Sequence, residues 1–144
     1  MLKVRIQKIS DDAIIPKYAH DTDAGMDIYS VKDYVLKPMH RMIIKTGLKI
    51  EIPKGYEMQI RPKSGLALKN GITLPNSPGT IDADYRGELG VILINLGSQP
   101  YKIEKGQKIA QAVFNKIEKA RLIESKELNR TRRGEGGFGS TGLK

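Results

Sequence analysis

The last twelve residues of the chain combine residue types that suit an anion-binding lid. The stretch 133–142 holds five glycines, one aromatic ring, two hydroxyls and an arginine. Glycine backbone can wrap closely around an anion, Phe138 could lie on a base, and Arg133 could pair with a phosphate. Ser140 and Thr141 could donate to phosphate oxygens. We predict a lid that folds over a nucleotide polyphosphate; the alternative is a flexible Gly/Ser-type terminal linker.

A short acidic segment in the middle of the chain could supply a catalytic base. Between Gly79 and Gly87 lie two aspartates and one tyrosine. The flanking glycines predict a β-hairpin whose backbone groups could face a flat ring. Partial burial of Asp82 beside the apolar Ile81 would suit it as a general base. A surface hairpin whose acids make turn hydrogen bonds is the open alternative.

Three shorter segments could bind phosphate or a metal. Ser64 and Gly65 stand where a helix could begin, next to the Lys63 cation, and an ordinary serine N-cap is the alternative. Asp27 follows a glycine turn and could hold Mg²⁺ through water, although most such aspartates form turns. Gln111 lies in an apolar run, where a buried amide needs hydrogen-bond partners. It could bond to a strand end in the core, or it could point into a site and donate to a phosphate.

Composition and charge restrict the possible partners. The 144 residues suit one domain, and the net charge of +9 suits a nucleotide, a nucleic acid or a membrane surface. The chain has no cysteine and two histidines, which argues against disulfides, thiolate metal sites and a Ser-His-Asp triad. No stretch reaches the apolar length that spans a bilayer. The basic regions contain no aromatic ladder, which argues against a platform for single-stranded nucleic acid.

The hydrophobic pattern predicts an all-β sandwich or jelly roll. Apolar residues alternate between closely spaced glycines and prolines, for example at 2–6, 47–53 and 56–60. The continuous apolar run 91–94 predicts a strand covered on both faces. Helical periodicity is weak, and we expect one helix of one or two turns near 64–70.

The composition changes once along the chain. After about Phe114, Lys, Glu and Arg dominate up to Arg133. We therefore predict a β-barrel domain over residues 1–117 and an arm over residues 118–144 that carries the glycine-rich lid. An arm with little core of its own often docks on a neighbouring subunit.

Taken in the order in which they occur along the chain, the five segments resemble the five motifs of the trimeric deoxyuridine triphosphatase (dUTPase) family. The most specific are the tail 133–142 and the segment 79–88, Gly-Thr-Ile-Asp-Ala-Asp-Tyr-Arg-Gly-Glu. The resemblance implies a jelly-roll-like β barrel (the dUTPase-like β-clip) with at most one short helix. It implies a cytoplasmic homotrimer with shared active sites that cleaves dUTP to dUMP and pyrophosphate with Mg²⁺. It implies neither a membrane nor a stable nucleic-acid partner.

The resemblance also implies a role for each candidate residue. Asp82 would activate the water that attacks the α-phosphorus, and Asp27 would hold the hydrated Mg²⁺. Tyr85 would stack under the sugar and exclude a 2′-hydroxyl. The phosphates would be contacted by Lys63, Ser64, Gly65 and Gln111. The uracil would be read by Asn76 and by the backbone of Gly79, Thr80, Ile81 and Gly90. The lid would close through Arg133, Gly137, Phe138, Gly139, Ser140 and Thr141.

The chain departs from the family pattern in two places. Lys63 stands where Arg is usual, so a bidentate fork is replaced by a single ammonium. Gln107-Lys108 stands where Asp-Arg or Glu-Arg is usual, and we expect a structural ion pair to be lost there. Two other functions stay open: dCTP deamination on the same fold, and a non-enzymatic basic module that binds nucleic acid or a regulatory partner.

Overall fold

Short antiparallel strands make up most of the regular structure, which confirms the all-β prediction. The structure is a computed structural model that describes residues 1–143; Lys144, the end of the predicted arm, lies outside the described residues. Within 1–143 there are eleven strands and one helix, and the helix has the predicted bounds. The elements are β1 (Arg5–Lys8), β2 (Met26–Tyr29), β3 (Tyr34–Leu36), β4 (Arg41–Lys45), β5 (Leu48–Glu51), β6 (Tyr56–Arg61), α1 (Ser64–Asn70), β7 (Ile72–Thr73), β8 (Gly79–Ile81), β9 (Gly90–Asn95), β10 (Tyr101–Ile103) and β11 (Lys108–Lys116).

The strands pair across long sequence separations. The four-stranded sheet has the order β2-β11-β6-β8, and the three-stranded sheet has the order β4-β9-β7. Two ribbons, β1-β5 and β10-β3, complete the fold. The predicted hairpin around Asp82 is wrong, because β8 pairs with β6 whereas β9 pairs with β4 and β7. The acidic segment therefore connects two sheets.

The core lies between the inward faces of the strands. Its side chains are aliphatic and occupy alternate strand positions, as in Met58 and Ile60 of β6. Burying such a side chain stabilises the fold by about 1.5–3 kcal/mol. The prediction that both faces of the run 91–94 are covered is met fully on one face and partly on the other, because Val91 and Leu93 are buried whereas the alternate residues are half-buried. That strand has one core face.

After β11 the described chain has no further strand or helix up to residue 143. The Ile117 N–H donates to the Gly55 carbonyl at 2.9 Å. Beyond it, the hydrogen bonds that the structure describes up to residue 143 are all local to the arm. Nearly every residue of the range 118–143 is exposed. No helix in the described chain is both long enough and apolar enough to cross a membrane.

Candidate functional site

Three charged side chains meet at the edge of the four-stranded sheet. The Lys63 ammonium donates to Oδ1 of Asp27, and the Lys108 ammonium donates to Oδ2 of Asp27 at 2.8 Å. The Asp27 side chain is only 17% exposed, whereas Lys63 and Lys108 are 29% and 52% exposed. Two ammonium groups around one carboxylate leave one net positive charge near the surface. We call Lys63, Asp27 and Lys108 the charged cluster.

Strand register brings the cluster together. Gln111 of β11 lies opposite Asp27 of β2 on one side and opposite Arg61 of β6 on the other. The Gln111 amide nitrogen donates to the Pro62 carbonyl at 3.0 Å, which ties the chain leading into α1 to the sheet. A Cβ at Gly25 would lie 2.5 Å from Gln111 Oε1, so a side chain there would force this amide to move. Three predicted segments thus converge on one sheet edge.

Electrostatics keep the charged cluster ionised. Burial acts to raise the pKa of Asp27, but hydrogen bonds from Lys108 and Lys63 outweigh it and hold that pKa below its ordinary value. The hydrogen bond to Asp27 raises the pKa of Lys108. At neutral pH the Asp27 carboxylate and the Lys108 ammonium are therefore both charged, and the cluster is suited to an anionic ligand.

The charged cluster offers a magnesium ion only one carboxylate, that of Asp27. Residues 1–143 contain no group of three or more His, Cys, Asp or Glu side chains that could hold a metal ion. Both Asp27 oxygens already accept from an ammonium group, but a carboxylate oxygen has a second lone pair that can accept from water. The site therefore suits a hydrated Mg²⁺ that arrives with a polyphosphate, rather than a cage that binds the bare ion.

The start of α1 leaves a serine hydroxyl free. The N-cap residue is Lys63, whose carbonyl accepts from the Ala67 N–H at 3.0 Å, and no side chain caps this helix. The alternative that Ser64 is an ordinary N-cap is therefore wrong. Ser64 and Gly65 are both exposed beside the charged cluster, where a hydroxyl and backbone N–H groups can meet a ligand.

The acidic segment between β8 and β9 is compact but open. Asp82 is exposed, so the partial burial expected beside Ile81 is not present in this chain. The Tyr85 hydroxyl donates to the Glu88 carbonyl at 3.0 Å, and a Cβ at Gly87 would collide with the Tyr85 ring. The turn therefore holds the ring in place through a contact that requires glycine.

The base-reading residues predicted from the sequence lie beside this segment. Asn76 and Thr80 are exposed, whereas Gly79 is buried. A Cβ at Gly79 would lie 3.4 Å from the Asn76 amide nitrogen, so the two predicted residues are neighbours. At Gly90 a Cβ would lie 2.7 Å from Ile43 Cγ2, which gives this glycine a packing role as well.

One chain does not unite the two halves of the predicted site. Asp27 lies in the same row of the sheet as Arg61, whereas Asp82 follows Ile81, which pairs with Met58. Strand spacing puts Asp82 and Asp27 roughly 13 Å apart along the strands and roughly 14 Å apart across them. A single small substrate group cannot contact both carboxylates in one chain.

The tail is a series of tight turns whose hydrogen bonds are local. The Arg133 Nε donates to the Gly136 carbonyl at 2.8 Å, and the Ser140 N–H donates to the Gly137 carbonyl at 3.0 Å. Phe138 is fully exposed and has a left-handed φ of 49°, and Gly139 follows with φ 90°. None of the described hydrogen bonds of this tail reaches the charged cluster.

Sequence reasoning missed the role of Lys108. The expected loss of an ion pair at Gln107-Lys108 is wrong for Lys108, which pairs with Asp27. Gln107 makes different contacts, since its amide nitrogen donates to the Tyr101 hydroxyl at 2.7 Å and its Oε1 accepts from the Glu104 N–H at 3.0 Å. The sequence offers only a lysine next to an apolar run, which does not reveal its partner.

Antiparallel sheets, the glycine-rich arm and a charged cluster suited to an anionic ligand together characterise a jelly-roll-like protein. A family model described as dUTPase matches residues 11–142, and the chain belongs to the dUTPase family.

Curated relatives match along nearly the full length. The deoxyuridine 5′-triphosphate nucleotidohydrolase of Clostridium novyi (strain NT) is 56% identical over 142 residues, covering 99% of this chain and all of the relative. The protein of the same name from Alkaliphilus metalliredigens (strain QYMF) is 54% identical over 144 residues, covering all of both chains.

Solved structures show the same fold. A Staphylococcus bacteriophage 80alpha dUTPase solved with dUpNHpp is 31% identical with a TM-score of 0.91, covering 98% of this chain and 99% of that chain. A D95N mutant dUTPase from phage phi11 of S. aureus, described with a structural Mg(II) ion, is 28% identical with a TM-score of 0.81. The match covers 87% of this chain and 97% of that chain. The jelly-roll-like prediction is thereby confirmed.

Proposed function

We propose that this protein hydrolyses dUTP to dUMP and pyrophosphate, the reaction of a dUTP diphosphatase. The observation that supports this most directly is the charged cluster, which sits in a chain whose family match spans residues 11–142. The reaction keeps uracil out of DNA and supplies dUMP for thymidylate synthesis. Such an enzyme acts on the free nucleotide pool of the cytoplasm and needs no stable nucleic-acid partner.

The triphosphate binds at the start of α1. Lys63, Ser64 and Gly65 contact the β- and γ-phosphates, and Gln111 contacts the α-phosphate. The exposed Ser64 hydroxyl and the net positive charge of the cluster support this assignment. Asp27 would hold a hydrated Mg²⁺ through water. When bound, this ion neutralises charge on the phosphate oxygens.

Asp82 acts on the attacking water. The exposed carboxylate accepts a hydrogen bond from the water, orients it toward the α-phosphorus and takes its proton. The new bond joins the water oxygen to the α-phosphorus. The bond from the α-phosphorus to the oxygen bridging to the β-phosphate breaks, which releases pyrophosphate. Because phosphoryl transfer needs mainly positioning and charge neutralisation, one base and one cation site are sufficient.

Base and sugar specificity come from the segment around Asp82. Asn76 and the backbone of Gly79, Thr80, Ile81 and Gly90 contact the uracil edge. Cytosine presents a donor where uracil presents an acceptor, and such a mismatch leaves a buried group unpaired. Tyr85 lies under the sugar and excludes a 2′-hydroxyl, so UTP is a poor substrate.

The complete site is formed by a homotrimer. The separation of Asp82 from Asp27 within one chain supports a site assembled from several copies. The exposed arm also supports docking on a neighbouring subunit, because its residues Leu122, Ile123 and Leu128 are aliphatic and exposed. The arm over 118–144 closes a neighbouring subunit's site through Arg133, Gly137, Phe138, Gly139, Ser140 and Thr141.

A pyrophosphate-release assay tests the proposal. With Mg²⁺ we expect rapid turnover of dUTP and little turnover of dTTP, dCTP or UTP. Ammonia released from dCTP would instead support the deaminase. Tight, salt-dependent DNA binding without pyrophosphate release would support a basic binding module.

A further inference from the structure

Lys108 is turned toward the phosphate site by an irregularity in its strand. Lys108 of β11 lies opposite Tyr29, and Ala110 lies opposite Ile28, so Ile109 is one extra residue in the β11 side of the ladder. This is a β-bulge, a feature that redirects side chains and is common next to active sites. The extra residue lies shortly before Gln111, in the interior strand that pairs with both β2 and β6.

The bulge changes the face on which the lysine lies. In an unbroken strand Lys108 would share the face of Ala110 and Ala112, which are 0% and 1% exposed in the core. The extra residue places Lys108 opposite Tyr29 instead, on the face that Asp27 occupies. Its ammonium then reaches Asp27 Oδ2 at 2.8 Å.

Each of the two lysines binds a different oxygen of the Asp27 carboxylate. Lys63 takes Oδ1 and Lys108 takes Oδ2, so Asp27 cannot rotate without losing a charge-assisted hydrogen bond. Because Lys63 is also the N-cap residue of α1, a fixed Asp27 fixes the ammonium that stands beside Ser64 and Gly65. Without Lys108, Lys63 and Asp27 would form a neutral pair.

We propose that Lys108 is a positioning residue of the phosphate site, which pins Asp27 and thereby holds Lys63 in place with one net positive charge for the β- and γ-phosphates. This inference rests on the proposed function. It assigns to Lys108 an effect on the polyphosphate end of the ligand and none on the base or the sugar.

Binding without magnesium tests the proposal, because the protein's own cations then act alone. In EDTA, calorimetry measures the affinity of the full-length protein for dUpNHpp and for dUMP. For Lys108→Met we expect dUpNHpp binding to weaken by about three- to tenfold. Binding of dUMP, which lacks the β- and γ-phosphates, should stay within about twofold.

Two variants serve as controls. Lys108→Arg keeps the charge and should bind dUpNHpp within about twofold of the unmodified protein. Lys102→Met removes one positive charge from an exposed pair with Glu104 and should also change little, because distant surface charges are screened. If Lys108→Met does not fold, as judged by circular dichroism, Lys108→Gln replaces it.

Three outcomes would overturn the proposal: equal losses of dUMP and dUpNHpp binding, a Lys102→Met loss as large as that of Lys108→Met, or no rescue by arginine. A failure of the proposed function looks different. In that case the unmodified protein itself would not bind dUpNHpp and would release no pyrophosphate from dUTP.

Discussion

Gln111 lies directly opposite Asp27 across β11 and β2, and its amide nitrogen donates to the Pro62 carbonyl at 3.0 Å. This arrangement joins a strand in the middle of the sheet to the segment that begins α1. The amide fits because Gly25 has no side chain: a Cβ there would lie 2.5 Å from Gln111 Oε1. The position of the Gln111 amide therefore depends on the absence of a side chain at Gly25.

Gly25→Ala should displace the Gln111 amide. We expect the free energy of unfolding to fall by about 1–3 kcal/mol through overpacking, and the KM for dUTP to rise because the tie to Pro62 is lost. Urea unfolding and steady-state kinetics measure the two effects. In a Gln111→Ala background the same change should cost less stability, whereas additive costs would contradict the steric explanation. Gly65→Ala, which meets no atom within 4 Å, is the stability control.

Asp82→Asn should abolish turnover while dUpNHpp binding stays nearly unchanged, because the carboxylate acts on water rather than on the nucleotide. The expected loss in kcat is at least about a hundredfold. Asp84→Asn, at an exposed carboxylate two residues away, is the matched control and should keep most of the activity. If binding and kcat fell together in Asp82→Asn, the assigned role of this residue would be wrong.

Gly87→Ala should reduce the discrimination between dUTP and UTP, because the new Cβ would push the Tyr85 ring out of its position. We expect the ratio of the two kcat/KM values to fall by about ten- to a hundredfold. In a Tyr85→Ala background the ratio should already be low and Gly87→Ala should not lower it further. A further decrease there would show that the glycine acts independently of the ring.

Truncation before Arg133 should lower kcat sharply while the trimer persists, as measured by pyrophosphate release and light scattering. Water then reaches the site freely and the γ-phosphate loses an arginine. Phe138→Ala should reproduce part of the effect and should reduce the ordering of the tail by dUpNHpp, measured by hydrogen exchange. Removal of residues 143 and 144 alone is the control. Unchanged kinetics after the long truncation would exclude a lid.

The low pKa of Asp27 should make stability sensitive to acid. A carboxyl whose pKa is lower in the folded than in the unfolded protein stabilises the fold above its unfolded pKa, and the contribution disappears as pH falls through the folded pKa. The stability difference between the unmodified protein and Asp27→Asn should therefore be largest near neutral pH and vanish in strong acid.

Urea unfolding at a series of pH values measures this difference. Lys108→Met should move the acid loss to higher pH, because the Lys108 hydrogen bond is the largest of the interactions that lower this pKa. A difference between the unmodified protein and Asp27→Asn that does not change with pH would contradict the ion-pair account.

Local features of the sequence were sufficient to predict much of the structure. The alternation of apolar residues places β5 and β6, and α1 has the expected bounds because Leu66 and Ala67 favour a helix and Gly71 ends it with φ 68°. Asp27 and the segment around Ser64 were chosen as site residues because they resemble dUTPase motifs, and their roles stay predictions.

Only the tertiary structure decided which of these residues meet. The hairpin prediction was wrong because glycines signal turns but do not say whether the flanking strands pair with each other, and β8 and β9 pair in different sheets. The Lys108–Asp27 pair depends on a single extra residue, Ile109, in the ladder between β11 and β2. Periodicity is a local property of the chain, whereas register between strands far apart in sequence is set by packing of the whole core.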